Sequence, residues 1–239
     1  MVELKGPEKR RYVADLFSRI SRRYDLMNTL MTFGMDRRWR KTAARQAMEG
    51  LEGPVLDVAT GTGDLALELG RVVGVTEVVG MDLLNPMVSR AISKVARAPR
   101  PAPVTFMVGD ALSLPFPDDS FACVTSAFSL RNLPDLEAAL REMVRVTRPG
   151  GRVLSLETMP VDKGMSRPLV RFHFRRIVPL LGALITFDRA AYTYLPQSVD
   201  RFLSPSRLAD LFREVGLETV QHQSLALGAV HIHWGTRAP

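Results

Sequence analysis

The stretch Asp57-Val58-Ala59-Thr60-Gly61-Thr62-Gly63-Asp64 decides how this chain is read. The apolar run Val55 to Ala59 leads into it, and Leu65 to Val73 follows with a helical pattern. A strand that enters a glycine turn and opens a helix marks a nucleotide-type site in an open α/β sheet. Glycines there permit a tight turn and let a ligand approach the backbone. Ligands of such sheets sit beyond the carboxyl ends of the strands, where this turn falls. Asp82 stands at the end of the next strand, Thr76 to Met81, 20 residues beyond Thr62. A carboxylate at that point accepts both hydroxyl protons of a ribose.

Gly61, Gly63 and Ala66 also satisfy the Gly-x-Gly-x-x-Gly/Ala fingerprint. Spacing alone therefore leaves a dinucleotide and another adenosine cofactor open. Asp64 bears on that choice. It opens the following helix, where a pyrophosphate needs bare backbone donors. A carboxylate there repels diphosphate and suits a cationic amino group. That favours S-adenosyl-L-methionine, which carries ribose, adenine and an amino acid moiety. Asp110, in Gly109-Asp110-Ala111, ends a further strand and is a candidate for the exocyclic amine of adenine. Its plainer reading is a cap for a short turn after it.

Outward from the turn the alternation continues. Strands are expected at Val104 to Val108, Ala122 to Ala127 and Arg152 to Leu156. Helices are expected from Asn85-Pro86 to about Arg97 and from Leu136 to Val146, and Pro149-Gly150-Gly151 reads as a turn. Repeated strand–helix units imply a parallel sheet covered on both faces. Before the core, Val13, Leu16, Phe17, Ile20, Tyr24, Met27 and Leu30 form a helical stripe with a break expected near Ser21. A second basic helix is expected from Asp36 to Glu49. Residues 159–203 break the rhythm with aromatic, basic and Pro residues, too long for an ordinary connection. Ser204-Pro205 then opens a helix to Val215. Leu217 to Ser224 and Leu225 to Trp234 read as an antiparallel strand pair. The expectation is one domain, 1–239, with a helical cap (8–50), a core (54–158), an insertion (159–203) and a closing helix with two strands (204–239).

Composition narrows the class. The chain has 239 residues, 46% apolar and 24% charged, which excludes wholesale disorder, a collagen repeat and a coiled-coil rod. The one cysteine, Cys123, makes no intrachain disulfide and no Cys-based zinc site, so a reducing compartment is expected. Met1 to Arg10 is polar, without a signal-peptide core. No apolar run approaches the roughly 20 residues of a membrane span. The net charge of +7 favours a polyanion without choosing among nucleic acid, an anionic membrane surface and an acidic ligand.

The chain closely resembles the class I methyltransferases, and within them the quinone-biosynthesis family of demethylmenaquinone methyltransferases. The glycine turn marks only the superfamily. The specific segments are Phe17-Ser18-Arg19-Ile20-Ser21-Arg22-Arg23-Tyr24-Asp25-Leu26-Met27-Asn28, Leu114-Pro115-Phe116-Pro117-Asp118-Asp119-Ser120-Phe121, Arg131-Asn132, Arg148-Pro149-Gly150-Gly151-Arg152 and Tyr192-Thr193-Tyr194-Leu195-Pro196-Gln197-Ser198. Two positions depart from the family pattern. Thr60 stands where a small residue is common and is expected to tighten the turn. Ala122 stands where Asp is usual and is expected to cost a hydrogen bond behind the cofactor.

The resemblance implies a Rossmann-like class I methyltransferase fold: an α/β domain with a mostly parallel seven-stranded sheet, helices on both faces, N-terminal helices and a helical, aromatic insertion near the C-terminus. It implies methyl transfer from S-adenosyl-L-methionine to a ring carbon of an isoprenoid naphthoquinol, demethylmenaquinol, with S-adenosyl-L-homocysteine as product and no metal. By the resemblance, Thr62, Asp82, Asp110 and Ala111 fall on the family's cofactor positions, and the full candidate cofactor set is Asp57, Gly61, Thr62, Gly63, Asp82, Leu83, Asp110, Ala111 and Ala127. The catalytic set is Arg131, Asn132, Tyr24 and Tyr192, with Tyr194 beside them. Arg131 is read as a cation that stabilises a developing quinolate, against a structural Arg paired with a carboxylate. His173, His222, His231, His233, Asp188 or a water are the candidate proton acceptors.

Arg167, Arg171, Arg175 and Arg176 surround Phe172, Phe174, Ile177 and Leu180, a pattern that suits an interfacial helix on acidic lipid. A cytoplasmic protein peripheral to the inner face of the cell membrane is expected, with no nucleic-acid partner and a homo-oligomer left open. The competing readings are a ubiquinone-pathway benzoquinol as substrate, a small-molecule or RNA methyltransferase, and a cofactor-binding scaffold in a quinone-biosynthesis assembly.

Overall fold

Strands β1 (Gly53–Val58), β2 (Val75–Asp82), β3 (Val104–Val108), β4 (Phe121–Ala127), β5 (Thr147–Thr158), β6 (Leu217–Leu225) and β7 (Val230–Arg237) form one sheet in the computed structural model. It describes residues 6–96, 101–161, 168, 172, 176–178 and 189–238. The strand order is β3-β2-β1-β4-β5-β7-β6. Pairings from β3 across to β5 are parallel, and β7 runs antiparallel to both β5 and β6. The chain leaves β1 toward β2 and β3, then returns to β4 on the other side of β1. The carboxyl ends of β1 and β4 are thus the topological switch point, where such sheets open a crevice.

The helices are α1 (Gly6–Ile20), α2 (Tyr24–Met31), α3 (Met35–Met48), α4 (Asp64–Leu69), α5 (Asn85–Val95), α6 (Leu136–Val146), α7 (Arg189–Asp200) and α8 (Pro205–Glu214). Local chemistry sets their ends. Asp135 accepts a hydrogen bond from the Ala138 N–H at 3.0 Å, and Ser204 accepts one from the Arg207 N–H at 3.3 Å. Each cap is worth about 1 kcal/mol. Successive strand residues point to opposite faces. Leu56, Val58, Val124 and Val153 therefore pack against Leu140 and Met143 of α6 and Leu208 and Phe212 of α8. Val55, Cys123, Leu154 and Leu156 pack on the other face against Ala43, Ala44 and Ala47 of α3 and Leu65 and Leu69 of α4. Truncating one such residue, Leu140→Ala, costs about 2–5 kcal/mol.

Helices α1 and α2 share a small core with residues of the insertion, whereas α3, expected in the same cap, packs on the sheet through Ala43, Ala44 and Ala47. Leu16, Ile20, Met27 and Val178 are buried together, with Phe17, Tyr24 and Tyr194 against them. The break in the stripe is a 3-10 turn at Ser21–Arg23, placed as expected.

Three expectations on local structure need correction. Pro149-Gly150-Gly151 does not precede the fifth strand but lies inside β5. Phe121 pairs with Thr147 and Cys123 with Arg152, so two steps on β4 face five on β5. The surplus bulges at Gly150, whose φ is +71°. Helix α4 ends at Leu69, four residues early, because Gly70 follows. The last strand begins at Val230, not Leu225, because a 3-10 turn at Ala226–Gly228 intervenes.

Candidate active site

A cavity of about 120 Å³ opens at the switch point, lined by Gly61, Asp82, Leu83, Asp110, Ala111 and Ala127 among others. Helix α1 covers it with Arg10, Val13, Ala14 and Phe17. The glycine turn is shaped for this crevice. Gly61 has φ +56°, and a β-carbon there would meet nothing within 4 Å. Gly63 has φ +82°, and a β-carbon there would strike the Phe106 ring at 2.5 Å. Gly61 thus leaves room beside the backbone, and Gly63 admits no side chain.

The acids at the strand ends are held in place. Asp82 accepts the Gly61 N–H at 2.8 Å and the Leu84 N–H at 2.9 Å. Burial raises its pKa, and those two donors pull it down. Asp57 accepts hydroxyls from Thr60 at 2.6 Å and Thr125 at 2.8 Å, tying β1 to the turn and to β4. Burial pushes its pKa up to about 6. Asp110 accepts the Leu112 N–H at 3.0 Å, the capping geometry, and also pairs with Arg10 at 2.8 Å. Two carboxylates against the apolar wall of Leu83, Leu84, Met87 and Ala111 fit the ribose hydroxyls and adenine of S-adenosyl-L-methionine.

Asp57, Thr62 and Gly63 lie behind the turn rather than on the cavity wall. The Thr62 hydroxyl donates to Asp25 at 2.5 Å and accepts from Lys94 Nζ at 3.0 Å. Lys94 also pairs with Asp64 and Asp25, each at 2.6 Å. The cation beside Asp64 is thus the protein's own ammonium, where the sequence suggested a ligand's amino group.

A second cavity, about 460 Å³, lies under the cap. Leu16, Ile20, Met31, Trp39 and Val230 give it an apolar lining. Phe17, Tyr24, Phe128 and Asn132 line both cavities and form the wall between them. The Tyr194 hydroxyl donates to Asn132 Oδ1 at 3.1 Å. Arg131 lines the larger cavity and is buried; its Nη1 donates to Glu157 Oε2 and to the Phe128 carbonyl, each at 2.7 Å. Glu157 Oε1 accepts the Leu130 N–H at 2.6 Å. Arg40, paired with Asp36, sits 5.3 Å from the centre of the Phe128 ring. Burial raises the Tyr24 pKa, against a hydrogen bond from Asn28 and the charges of Arg40 and Arg131. Its hydroxyl therefore stays protonated at neutral pH.

The Tyr192 side chain, His173 and Asp188 fall outside the described residues, as do Arg167, Arg171, Phe174, Arg175 and Leu180. His222, His231 and His233 form a ring cluster on β6 and β7, with His233 Nε2 bonded to the Pro205 carbonyl at 2.9 Å. They line neither cavity. Among the described residues no group of three His, Cys, Asp or Glu is arranged to hold a metal ion. Ala122 is at the amino end of β4, where a β-carbon on Gly53 would lie 3.0 Å from it. The expected loss of a hydrogen bond behind the cofactor does not arise, because the crevice is at the opposite end of that strand. Sequence reasoning did not single out Arg10, Arg40, Lys94, Phe128 or Glu157. Only Glu157 carried a signal, as an acid in the buried run Val153-Leu154-Ser155-Leu156-Glu157.

Comparison with known proteins agrees with this geometry. The chain is 45% identical over 222 residues to a demethylmenaquinone methyltransferase of Thermus thermophilus, covering 93% of this chain and all of that one. It is 42% identical to a ubiquinone/menaquinone biosynthesis C-methyltransferase of Desulfotalea psychrophila, covering 98% of this chain and 92% of the relative. A crystal structure of an S-adenosylmethionine-dependent methyltransferase from Aquifex aeolicus superposes with a TM-score of 0.57 at 19% identity, covering 82% of this chain and 88% of that one, and shares the fold. The model of the ubiE/COQ5 methyltransferase family matches residues 5–237. With relatives this similar along nearly the whole chain, the protein belongs to the ubiE/COQ5 methyltransferase family and is an S-adenosyl-L-methionine-dependent methyltransferase.

Proposed function

We propose that the enzyme methylates a ring carbon of demethylmenaquinol to give menaquinol. The observation that carries this is the pair of cavities sharing the wall Phe17, Tyr24, Phe128 and Asn132. One cavity offers carboxylates to a ribose and an adenine. The other offers apolar surface to a ring and the start of an isoprenoid tail. The names of the relatives point the same way.

S-adenosyl-L-methionine supplies, when bound, a methyl group on a sulfonium that is already a good leaving group. What remains for the chain is alignment, exclusion of water and electrostatics. Asp82 orients the ribose and Asp110 the adenine. For Asp110 to do so, its ion pair with Arg10 must open or be shared. Phe17, Phe128 and Leu16 keep water from the wall. Asn132, fixed by Tyr194, and the neutral hydroxyl of Tyr24 hold the quinol oxygens. Arg131 favours ionisation of the quinol hydroxyl, whose proton leaves to solvent. As the ring carbon bonds the methyl group, the sulfur–methyl bond breaks, and the ring proton that is then lost restores the hydroxyl. The pairing of Arg131 with Glu157 leaves the two groups together close to neutral. Arg131 therefore acts through directed N–H donors more than through net charge.

The quinol is electron-rich at the reacting carbon, whereas the oxidised quinone is not, so the reduced form is the substrate. A benzoquinol of the ubiquinone pathway is the second reading, favoured by the name of the Desulfotalea relative. Mass analysis of products from each defined quinol separates the two.

Contact with an anionic membrane extends the proposal, because the tail is lipid-soluble. Of the segment 167–181 expected to make it, Pro168, Phe172 and residues 176–178 are described, with Phe172 and Arg176 exposed. Among the described residues no helix is long and apolar enough to cross a membrane.

A further inference from the structure

The larger cavity has an apolar rim that the fold holds in water. Phe33 is 74% exposed, Leu227 68%, Phe172 58% and Met35 41%, and all four line the cavity. They come from three distant parts of the chain: the α2–α3 connection with the first residue of α3, the 3-10 turn before β7, and the insertion. Leu26 and Leu30, one turn apart on α2, are exposed beside the pocket-lining residues of that helix. Large apolar side chains gathered around an opening mark a contact surface rather than ordinary scatter.

Backbone strain singles out the same place. Phe33 has φ +52° and Leu227 φ +57°. Left-handed backbone is costly for residues with such side chains, and Asn or Gly adopts it with less strain. Each of these residues is apolar, exposed and in left-handed backbone at once. An observed outlier of this kind is a reason to look for function.

Charge decides what covers the rim. From residue 19 to residue 45 the chain carries eight basic residues and two acidic ones, Asp25 and Asp36. Both acids are engaged, Asp25 with Lys94 and Asp36 with Arg40. Arg22, Arg37, Arg38 and Lys41 are exposed around the rim-bearing elements. Exposed apolar side chains on elements that also carry exposed cations match a bilayer with anionic headgroups. A second copy of this chain would bring the same cations face to face.

We propose that the rim of Phe33, Met35, Phe172 and Leu227 docks the mouth of the larger cavity onto the surface of an anionic lipid bilayer. Phe33 and Leu227 insert at the headgroup boundary, and a lipid-tailed substrate passes from bilayer to cavity without crossing water. The inference rests on the quinol reading, but its test does not. The full chain is sedimented with vesicles of phosphatidylcholine and phosphatidylglycerol, and with phosphatidylcholine alone. The double variant Phe33→Asn, Leu227→Asn is compared with Val73→Asn, which changes an exposed apolar residue elsewhere.

Wild type should bind the anionic vesicles, less at high salt. The double variant should bind at least 10-fold more weakly, while its melting temperature is unchanged or raised and its affinity for S-adenosyl-L-methionine is kept. Val73→Asn should bind like wild type. Three results would overturn the proposal: absent binding, equal binding by the double variant, or a wild-type dimer that the double variant abolishes. Methylation of a short-tailed, water-soluble demethylmenaquinol tests the quinol reading separately. Turnover without vesicle binding sinks only the docking surface, and vesicle binding without turnover on any quinol sinks only the substrate.

Discussion

Arg131 and Glu157 form an ion pair that water barely reaches: the charged atoms are 2.7 Å apart and the side chains are 5% and 0% exposed. Breaking such a pair by removing one partner leaves a buried charge and costs about 3–5 kcal/mol. Arg131→Met should therefore lose both stability and turnover, which by itself does not separate a catalytic from a structural role. The double variant Arg131→Met, Glu157→Met does. Replacing a buried pair by apolar side chains is often near neutral, so most of the stability should return in thermal unfolding. Turnover should stay down by roughly 10²-fold, the scale for losing a donor aimed at developing charge. Recovery of turnover along with stability would make Arg131 a structural residue.

Asp82 holds two backbone N–H groups and also lines the cofactor cavity. Asp82→Asn keeps one acceptor for the backbone and gives up the charge. Affinity for S-adenosyl-L-methionine, measured by calorimetry, should weaken by about 1–3 kcal/mol, the range for a charged hydrogen bond. An unchanged dissociation constant in a folded variant would move the ribose elsewhere.

Two buried groups pull stability in opposite directions with pH. Burial lifts Asp57 from 3.8 to about 6. The folded state then holds that proton more tightly, so its contribution is full below pH 3.8 and lost as pH rises through 6. Burial also pushes His233 from 6.5 down to about 4. Its contribution is full above pH 6.5 and lost as pH falls through 4. Each shift of roughly two units corresponds to about 3 kcal/mol. Burial also raises Asp82 and Glu157, like Asp57, and lowers His231, like His233. Between pH 4 and 6 the wild type should show a shallow dependence. In denaturant titrations, His233→Phe should lose stability as pH rises through that window, and Asp57→Asn should gain it. Parallel slopes for the two variants would contradict these assignments.

What could be read in advance follows from how local each signal is. Helix α6 was legible to the residue, because Ala139, Leu140, Met143 and Val146 keep helical spacing and Asp135 caps the start. The break at Ser21 and the acids at the ends of β2 and β3 were legible for the same reason. The bulge in β5 was not, since Pro149-Gly150-Gly151 is turn chemistry and only pairing with β4 keeps it in the sheet. Long-range partners were out of reach. Lys94 reaches Thr62 and Asp64 from α5, and Glu157 reaches Arg131 from the neighbouring strand. Spacing along the chain says nothing about either. The strain at Phe33 and Leu227 is likewise a property of φ rather than of residue type.

Carbon methylation of a reduced naphthoquinol leaves its mark on the product. The enzyme is incubated anaerobically with methyl-labelled S-adenosyl-L-methionine and demethylmenaquinone, with and without a reductant that keeps it as quinol. Products are resolved by mass and by fragmentation that distinguishes ring carbon from oxygen. One labelled methyl group is expected on the ring carbon of the reduced substrate, and almost none with the oxidised quinone. Label on oxygen, equal rates on a substrate shown to remain oxidised, or no transfer to any quinol by protein that binds the cofactor would contradict that expectation.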